Sequence, residues 1–186
     1  MNLIETNDQQ SGFTLMEMLV GLSIIGLLLT FSVTNFRGFE NDITLDLRAE
    51  EAVSLIRQAQ LWALTGQLRG GQRLSGGYGI RINECPAGSC AIIFFADFSV
   101  AGESGERVYN QADDDIVYQL NLPNNLTIEN VQPSANLDIV YAMPEAVGYI
   151  EGEQSAAQGS FDLVNVFSHN RRTITVDRLV GQIDVN

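Results

Sequence analysis

Apolar and polar positions divide the chain into a helical part and a part with the alternation typical of strands. No residue from 18 to 36 is charged, and the run is rich in Leu, Ile, Val and Phe. A helix needs about 20 mostly apolar residues to cross a bilayer. The run therefore predicts a membrane-spanning helix over about residues 15–36.

A second helical pattern follows this run. Its apolar residues recur at intervals of four and three, which places them on one face of an amphipathic helix. These residues are Leu45, Ala49, Ala52, Ile56, Ala59 and Ala63. The pattern predicts an amphipathic half over about residues 39–65, with a buried stripe formed by these six positions.

The two patterns join into one predicted helix, from Phe13 to Thr65, which ends with Gly66 as a C-cap. Residues 35–42 include Asn, Gly and Asp, which lower helix propensity. A second interpretation therefore stays open, in which a turn near Gly38 separates a membrane helix from a soluble helix.

From Leu74 onward apolar residues recur at every second position, and no run has the periodicity and length of a helix. We predict strands at 78–82, 91–96, 116–120, 126–131, 137–141, 161–167, 173–176 and 182–185. The sequence thus predicts an α+β fold in which residues 67–186 form an antiparallel β-sheet head. The stripe of the helix would cover the apolar face of this sheet.

The residues before the apolar run carry candidate chemistry. Residues 12–18 read GFTLMEM, which places the ionisable Glu17 in the first turn of the apolar helix. A carboxylate at the centre of a bilayer costs about 2.5–3.5 kcal/mol on insertion scales, so such groups are usually paired or functional. If the chain were cut after Gly12, the new amino group of Phe13 in one copy could neutralise Glu17 in the next.

GFTLMEM resembles the N-terminal motif of type IV prepilins and type II secretion pseudopilins, whose usual pattern is GFTLIEL. The resemblance implies that residues 1–12 are a leader peptide, which a prepilin peptidase removes between Gly12 and Phe13. It also implies that Phe13 becomes N-methylated and that Glu17 is the glutamate used in assembly. In the implied pilin-like fold, the amphipathic half of the long helix packs on the sheet.

The family further implies a structural subunit rather than an enzyme. Such a subunit crosses the cytoplasmic (inner) membrane once, with its head outside the cytoplasm. It polymerises through its N-terminal helix with other pilin or pseudopilin subunits, with the help of the inner-membrane assembly machinery. The product is a type IV pilus or a type II secretion pseudopilus, extracellular or periplasmic.

The leader departs from the family in one respect. Family leaders generally carry Lys or Arg, whereas residues 1–12 contain neither and include Glu5 and Asp8. The positive-inside bias is therefore missing, so the expected topology depends on the motif. An ordinary secretory signal peptide would have a basic start and a small-residue cleavage site after a shorter apolar core. The chain has neither.

A looser resemblance, to H-type (GspH-like) pseudopilins and FimT-like minor pilins, covers residues 50–63, 77–80 and 93–97 and the closing hairpin. FimT-like minor pilins of competence systems bind DNA through their C-terminal region. The resemblance therefore implies Arg171, Arg172 and Arg178 as a nucleic-acid site. The alternative is solvated arginines at a strand edge, and the net charge of −13 makes nucleic acid an unfavoured partner.

Cys85 and Cys90 are the two cysteines of the chain. They flank a turn containing Pro and Gly between two predicted strands, in a part of the chain expected outside the cytoplasm. The sequence predicts a disulfide that closes this hairpin. A buried reduced pair is the alternative.

No catalytic set or metal site stands out. The single histidine, His169, lies in a polar segment without a nominated nucleophile and orienting acid, and two cysteines with one histidine do not make a closed zinc site. No cofactor is expected, with calcium as an open possibility at one acidic loop. Its acids are Asp97, Glu103, Glu106, Asp113, Asp114 and Asp115, and a solvated loop is the alternative.

Three hypotheses for function stay open. The first is a processed subunit of a pilus or pseudopilus. The second is a membrane-anchored binding module that keeps residues 1–12 and never assembles. The third is a DNA-binding minor pilin of a competence system.

Overall fold

A computed structural model describes residues 12–72, 74–98, 107–152, 156–178 and 181–186, with the backbone alone at 32–41. Residues 1–11 of the predicted leader lie outside this description. The chain divides by its contacts into two compact units, one ending at Phe39 and the other comprising Glu40–Asn186. This division falls inside the helix rather than at its end.

The helix, α1, runs from Leu15 to Thr65 without interruption. The helix is continuous through Gly38, so the interpretation with two helices is wrong. Gly66 has a φ of 64°, and the N–H of Gln67 donates to the carbonyl of Trp62 at 3.1 Å. This bond and the left-handed glycine are the features of a Schellman cap, so the predicted C-cap is confirmed.

The described part of the first unit is the apolar start of α1. Its large apolar side chains are exposed, for example Leu27 at 59% and Phe31 at 67%. Across the described residues, no helix is both long and apolar enough to cross a membrane. The predicted span includes residues 32–36, whose side chains are outside the description.

Nine strands make two antiparallel sheets in the described part of the second unit. One sheet has the order β3-β2-β1-β5-β6 and the other the order β4-β7-β8-β9. The strands are β1 Gly77–Asn83, β2 Ala91–Asp97, β3 Asp115–Asn121, β4 Leu126–Gln132, β5 Asn136–Ala142, β6 Val147–Ile150, β7 Gln158–Asn165, β8 Arg171–Asp177 and β9 Ile183–Val185. The predicted α+β class is confirmed, with two sheets in place of the single predicted sheet.

Strand β6 was not predicted from the sequence. It has four residues, one of which is Gly148, and it follows a turn in which Ala146 has a φ of 50°. A Cβ on Gly148 would lie 3.2 Å from the side chain of Arg178, so the glycine lets the two segments approach closely. The strand is stabilised by its pairing with β5, a contact that a local pattern does not reveal.

The predicted stripe of α1 is buried. All six positions are at most 1% exposed, and they share one core with the inner faces of the sheets. The ring of Trp62 contacts Tyr78 on β1 and Phe94 on β2, with centroids 5.3 Å and 5.2 Å apart. The prediction that this stripe covers the apolar face of the head is therefore confirmed.

A loop, residues 107–114, lies over the opposite face of the five-stranded sheet. Its Tyr109 packs against Phe95 of β2 with ring centroids 5.1 Å apart. At Gly79 of β1 an added Cβ would lie 2.5 Å from the ring of Phe95 and 2.8 Å from Val140. The absence of a side chain at this glycine thus allows an apolar layer to form on the outer face.

Candidate functional site

The GFTLMEM motif lies at the start of α1. Thr14 is the N-cap, because its Oγ1 accepts a hydrogen bond from the N–H of Glu17 at 3.2 Å. Phe13, just before the helix, is 82% exposed. A Cβ on Gly12 would have no atom within 4 Å, so the structure around it leaves room for a side chain. A requirement for glycine here would have to come from a partner such as a peptidase.

Glu17 faces an apolar hollow on the surface of α1. Phe13, Glu17, Gly21 and Ile25 follow one another at intervals of four, which aligns them on one face of a helix. Together with Met18 and Leu22 they line a shallow hollow of about 480 Å³. Gly21 has no neighbour within 4 Å of its Cβ position, so it leaves open space next to the glutamate.

No ion pair among the described residues involves Glu17. Its place in the first turn puts the carboxylate at the exposed start of the helix, beside the apolar hollow. The site can therefore receive a cation next to an apolar group. An α-amino group with a large apolar side chain has this chemistry.

The predicted disulfide between Cys85 and Cys90 is present. It closes the connection between β1 and β2, which pair as the predicted hairpin. The N–H of Cys85 also donates to the carbonyl of Ile128 at 2.8 Å, which links this turn to β4. Cys90 is buried, so the disulfide fixes the edge of the core at this end.

Replacing both cysteines by serine should lower the free energy of unfolding by about 2 kcal/mol, the entropy of closing so short a loop in the unfolded chain. Urea unfolding followed by circular dichroism would measure the loss. The wild-type protein unfolded under reducing conditions is the control and should show the same loss. Equal alkylation of both thiols in the non-reduced, natively exported protein would contradict the disulfide.

The structure does not bring the three candidate arginines together. Arg171 is 61% exposed and lies 3.5 Å from Asp162, and Arg172 pairs with Asp46 at 2.7 Å. Arg178 follows the other end of β8, and its Nε donates to the carbonyl of Ala156 at 3.0 Å. Since a strand extends about 3.3 Å per residue, Arg178 lies on the order of 20 Å from the other two. The nucleic-acid site stays a prediction.

Three acidic residues of the 97–115 segment make hydrogen bonds or an ion pair within the head. Asp97 is fully buried and accepts a hydrogen bond from the N–H of Arg107 at 2.8 Å. Asp114 accepts from the N–H groups of Phe98 and Asn110 at 3.2 and 2.7 Å. Asp115 pairs with Arg69 at 2.7 Å. Asp97 and Asp114 thus hold the loop on the sheet, whereas Asp113 and Asp115 are exposed.

No group of three or more described His, Cys, Asp or Glu residues has the arrangement of a metal site. Glu103 and Glu106 lie outside the described residues, and calcium stays an untested possibility. His169 is exposed with a φ of 56°, and its N–H donates to the carbonyl of Asn165 at 2.9 Å. It is a turn residue, and the hydroxyl of the neighbouring Ser168 donates to Asp42.

Asp138 on β5 was missed from the sequence. It is 1% exposed on the outer face of the sheet, where its Oδ2 lies 3.4 Å from Arg81 Nη1 and accepts from the N–H of Tyr109 at 3.3 Å. Its Oδ1 is buried without a hydrogen-bond partner among the described residues. Burial raises the pKa of Asp138 to about 7, although Arg81 opposes the rise. A lone acid within an apolar strand was the available signal.

The free energy of unfolding should fall as the pH rises towards 7. Folded Asp138 keeps its proton up to about pH 7, whereas the ordinary pKa of an aspartate side chain is 3.8. The folded state therefore binds more protons than the unfolded chain in this window, and stability is lost with a slope of up to about 1.4 kcal/mol per pH unit. Urea midpoints at a series of pH values would measure the slope.

Asp138→Asn should flatten this dependence between about pH 6 and 7, because it removes the group that still binds a proton there in the folded state but not in the unfolded chain. Burial also raises the pKa of Asp114, to about 6, so Asp114 contributes mainly below that range. The matched control is Asp113→Asn, at an exposed position of the same loop, which should keep the wild-type slope. An unchanged slope in Asp138→Asn would contradict the assignment.

A model of the prokaryotic N-terminal methylation motif matches residues 7–33. The match covers Gly12, Phe13, Glu17 and most of the apolar run. No curated protein and no solved structure matches the chain, so the looser resemblance to H-type pseudopilins and FimT-like pilins stays a prediction. Proteins with this motif are structural rather than enzymatic. The chain therefore carries the N-terminal signature of type IV pilins and pseudopilins.

Proposed function

We propose that the chain is a pilin or pseudopilin subunit, cleaved and N-methylated by a prepilin peptidase and then polymerised through its N-terminal helix. The observation that carries this proposal is the methylation motif at residues 7–33, in which Glu17 opens onto an apolar hollow. The α1 helix covering antiparallel sheets supports a pilin-like fold for the head. Neither a type IV pilus nor a type II secretion pseudopilus is favoured over the other.

Anchoring is the first step of this function. Residues 18–36 carry no charge, and the described apolar side chains of this run are exposed to their surroundings. Exposed apolar surface of this extent is favourable only in lipid or against other apolar helices. The run would thus hold the subunit in the inner membrane, with the disulfide-bonded head outside the cytoplasm.

Cleavage between Gly12 and Phe13 would create the group that Glu17 needs. The new amino group is a cation attached to a large apolar residue, which matches the carboxylate and hollow of another copy. Pairing the two charges removes the cost of holding each one alone in an apolar environment. Processing would in this way provide Glu17 with a counter-ion that is available only in the assembly.

Gly12→Ala should block removal of residues 1–12 while membrane insertion continues. The structure leaves open space at this Cβ position, so the substitution should not disturb the fold. A processing defect would therefore reflect poorer recognition of the chain by the peptidase. The lengths of the wild-type and variant chains in membrane extracts can be compared on a gel. Gly26→Ala is the matched control, because its Cβ position is also open, and it should be processed normally. Normal processing of Gly12→Ala would rule out the assigned cleavage site.

An uncleaved, membrane-anchored binding module is the second candidate. It is favoured by the leader, which contains Glu5 and Asp8 and no basic residue. In that case the wild-type chain would keep residues 1–12 in cells that contain an active prepilin peptidase. The same gel separates the two candidates, since the wild type and Gly12→Ala would then have equal length.

A further inference from the structure

We propose that the turn between β7 and β8, residues 166–170, contacts the membrane surface and that Phe167 inserts into the headgroup layer. This inference rests on the proposed membrane anchor. It adds a second contact with lipid, which the head makes. Phe167 is the most exposed phenylalanine among the described residues of the second unit.

Phe167 is 72% exposed, and its neighbour Val166 is 45% exposed. By contrast, Phe94, Phe95 and Phe161 are each at most 1% exposed. An exposed aromatic ring beside a second apolar side chain is a small apolar surface that a partner could cover. Large apolar side chains of this kind are the ones that enter the interfacial region of bilayers.

The turn holds the ring outward through a set of backbone hydrogen bonds. Asn165 Oδ1 accepts from the N–H groups of Phe167 and Ser168 at 2.9 and 3.3 Å. The N–H of Val166 donates to the carbonyl of Asn125 at 2.9 Å. Because the backbone is already ordered, insertion of the ring would cost little conformational entropy.

Hydrogen bonds tie this turn to the part of α1 that follows the apolar run. Ser168 Oγ and Asn170 Nδ2 both donate to Asp42 Oδ1 at 2.9 Å. The ion pair between Arg172 and Asp46 adds a third contact one helical turn further on. The position of the turn is therefore fixed relative to Asp42.

The chain length between the run and Asp42 limits how far this turn can be from lipid. Asp42 lies six positions after Phe36, the end of the apolar run. Even a fully extended chain spans at most about 3.3–3.6 Å per residue, so the distance is at most about 22 Å. An anchored run thus keeps Asp42, and the turn bound to it, close to the headgroups.

The polar neighbours of Phe167 suit a zwitterionic surface. Arg171 is 61% exposed, and the exposed His169 lies in the same turn, so both can reach phosphate oxygens. Asp162 lies 3.5 Å from Arg171, and Asp46 pairs with Arg172 at 2.7 Å, so acidic groups offset the charge of the two arginines. A zwitterionic headgroup is therefore the expected surface, and phosphatidylcholine serves as its probe.

Tryptophan fluorescence of the full chain in phosphatidylcholine nanodiscs, one copy per disc, tests the contact. Phe167→Trp places a reporter in the turn, and the wild type gives the background signal of the single natural residue, Trp62. Lipids brominated near the carbonyl end of their chains quench a tryptophan that lies near the headgroups. Ile25→Trp reports separately on the anchor, with lipids brominated near the methyl end of their chains, because residue 25 lies at the middle of the predicted span.

Tyr118→Trp is the matched control. Tyr118 is 46% exposed and lies by Ser54, Gln58 and Trp62 of α1. These residues follow Asp42 by 12 to 20 positions. At 1.5 Å per helical residue, they lie roughly 18–30 Å further along the helix from the apolar run. This reporter should therefore be unaffected by brominated lipid.

The proposal expects the emission of Phe167→Trp to shift to shorter wavelength and to lose intensity with brominated lipid, beyond the wild-type change. Quenching of Ile25→Trp without quenching of Phe167→Trp would overturn the head contact and leave the anchor intact. A blue shift at residue 167 that requires several copies per disc would assign the surface to a second copy and also overturn it. Absence of quenching at residue 25 would overturn the anchor and the head contact together.

Discussion

Filaments from cells that express Glu17→Gln as their sole copy should contain little or none of the variant. The substitution removes a charge from the apolar segment, so membrane insertion should be at least as efficient as in the wild type. In the assembly, however, the amino group of a neighbouring Phe13 would remain without its counter-ion. Removing one partner of a buried ion pair typically costs about 3–5 kcal/mol.

Immunoblots of sheared filaments and of membrane fractions would measure incorporation and insertion separately. Glu50→Gln is the matched control, because Glu50 is an exposed glutamate of the same helix, beyond the apolar run. It should be incorporated like the wild type. Incorporation of Glu17→Gln at wild-type levels would show that the carboxylate is not used in assembly and would favour the anchored binding module.

Phe94→Ala should lower the free energy of unfolding of the head by about 3–5 kcal/mol. Phe94 is 1% exposed, and its ring contacts both Trp62 on α1 and Tyr78 on β1. Truncation would remove the aromatic contact of β2 with Trp62 and would leave a cavity between the helix and the five-stranded sheet. Urea unfolding of the full chain in detergent micelles, followed by circular dichroism, would measure the change.

Phe167→Ala provides the matched control, since it removes the same atoms from a side chain that is 72% exposed. In detergent its effect should be within about 0.5 kcal/mol of zero. Similar losses for the two variants would contradict the assignment of Phe94 to the core. A small loss for Phe94→Ala alone would mean that the helix does not depend on this contact.

The sequence predicted those parts of the fold that depend on local patterns. The stripe from Leu45 to Ala63 repeats at helical intervals, and burial follows directly from that periodicity. The left-handed cap at Gly66 was also predictable, because glycine adopts a positive φ without strain. The hairpin closed by Cys85 and Cys90 was predictable because the two cysteines flank a short turn. Each of these features can be predicted from residues that are close together in the sequence.

The features that the sequence missed depend on contacts between distant residues. The alternation of apolar and polar residues predicts where strands form but not which strands pair. The pairing of β4 with β7, in a sheet separate from that of β1, was therefore missed, and one sheet was predicted in place of two. The acids near Asp114 were interpreted as a solvated loop, because nothing local shows that the loop lies on the sheet. The buried Asp138 was missed for the same reason, since its partners Arg81 and Tyr109 are far away in sequence.

The candidate site was predictable as a motif but not as a surface. The resemblance of residues 12–18 to the prepilin motif implied the roles of Gly12, Phe13 and Glu17. The hollow beside Glu17 needed the helix as well, because Gly21 and Ile25 come onto the same face only at helical intervals. The arginines of β8 were grouped by sequence proximity, although the strand separates Arg178 from the other two.

The intact mass of the wild-type chain, extracted from membranes of cells with an active prepilin peptidase, tests the central claim most directly. An intact mass is preferable to a tryptic digest, because the first basic residue is Arg37 and the N-terminal peptide would contain the whole apolar run. We predict the mass of a chain that begins at Phe13 and carries one added methyl group on its amine. A mass that includes residues 1–12 would contradict the account.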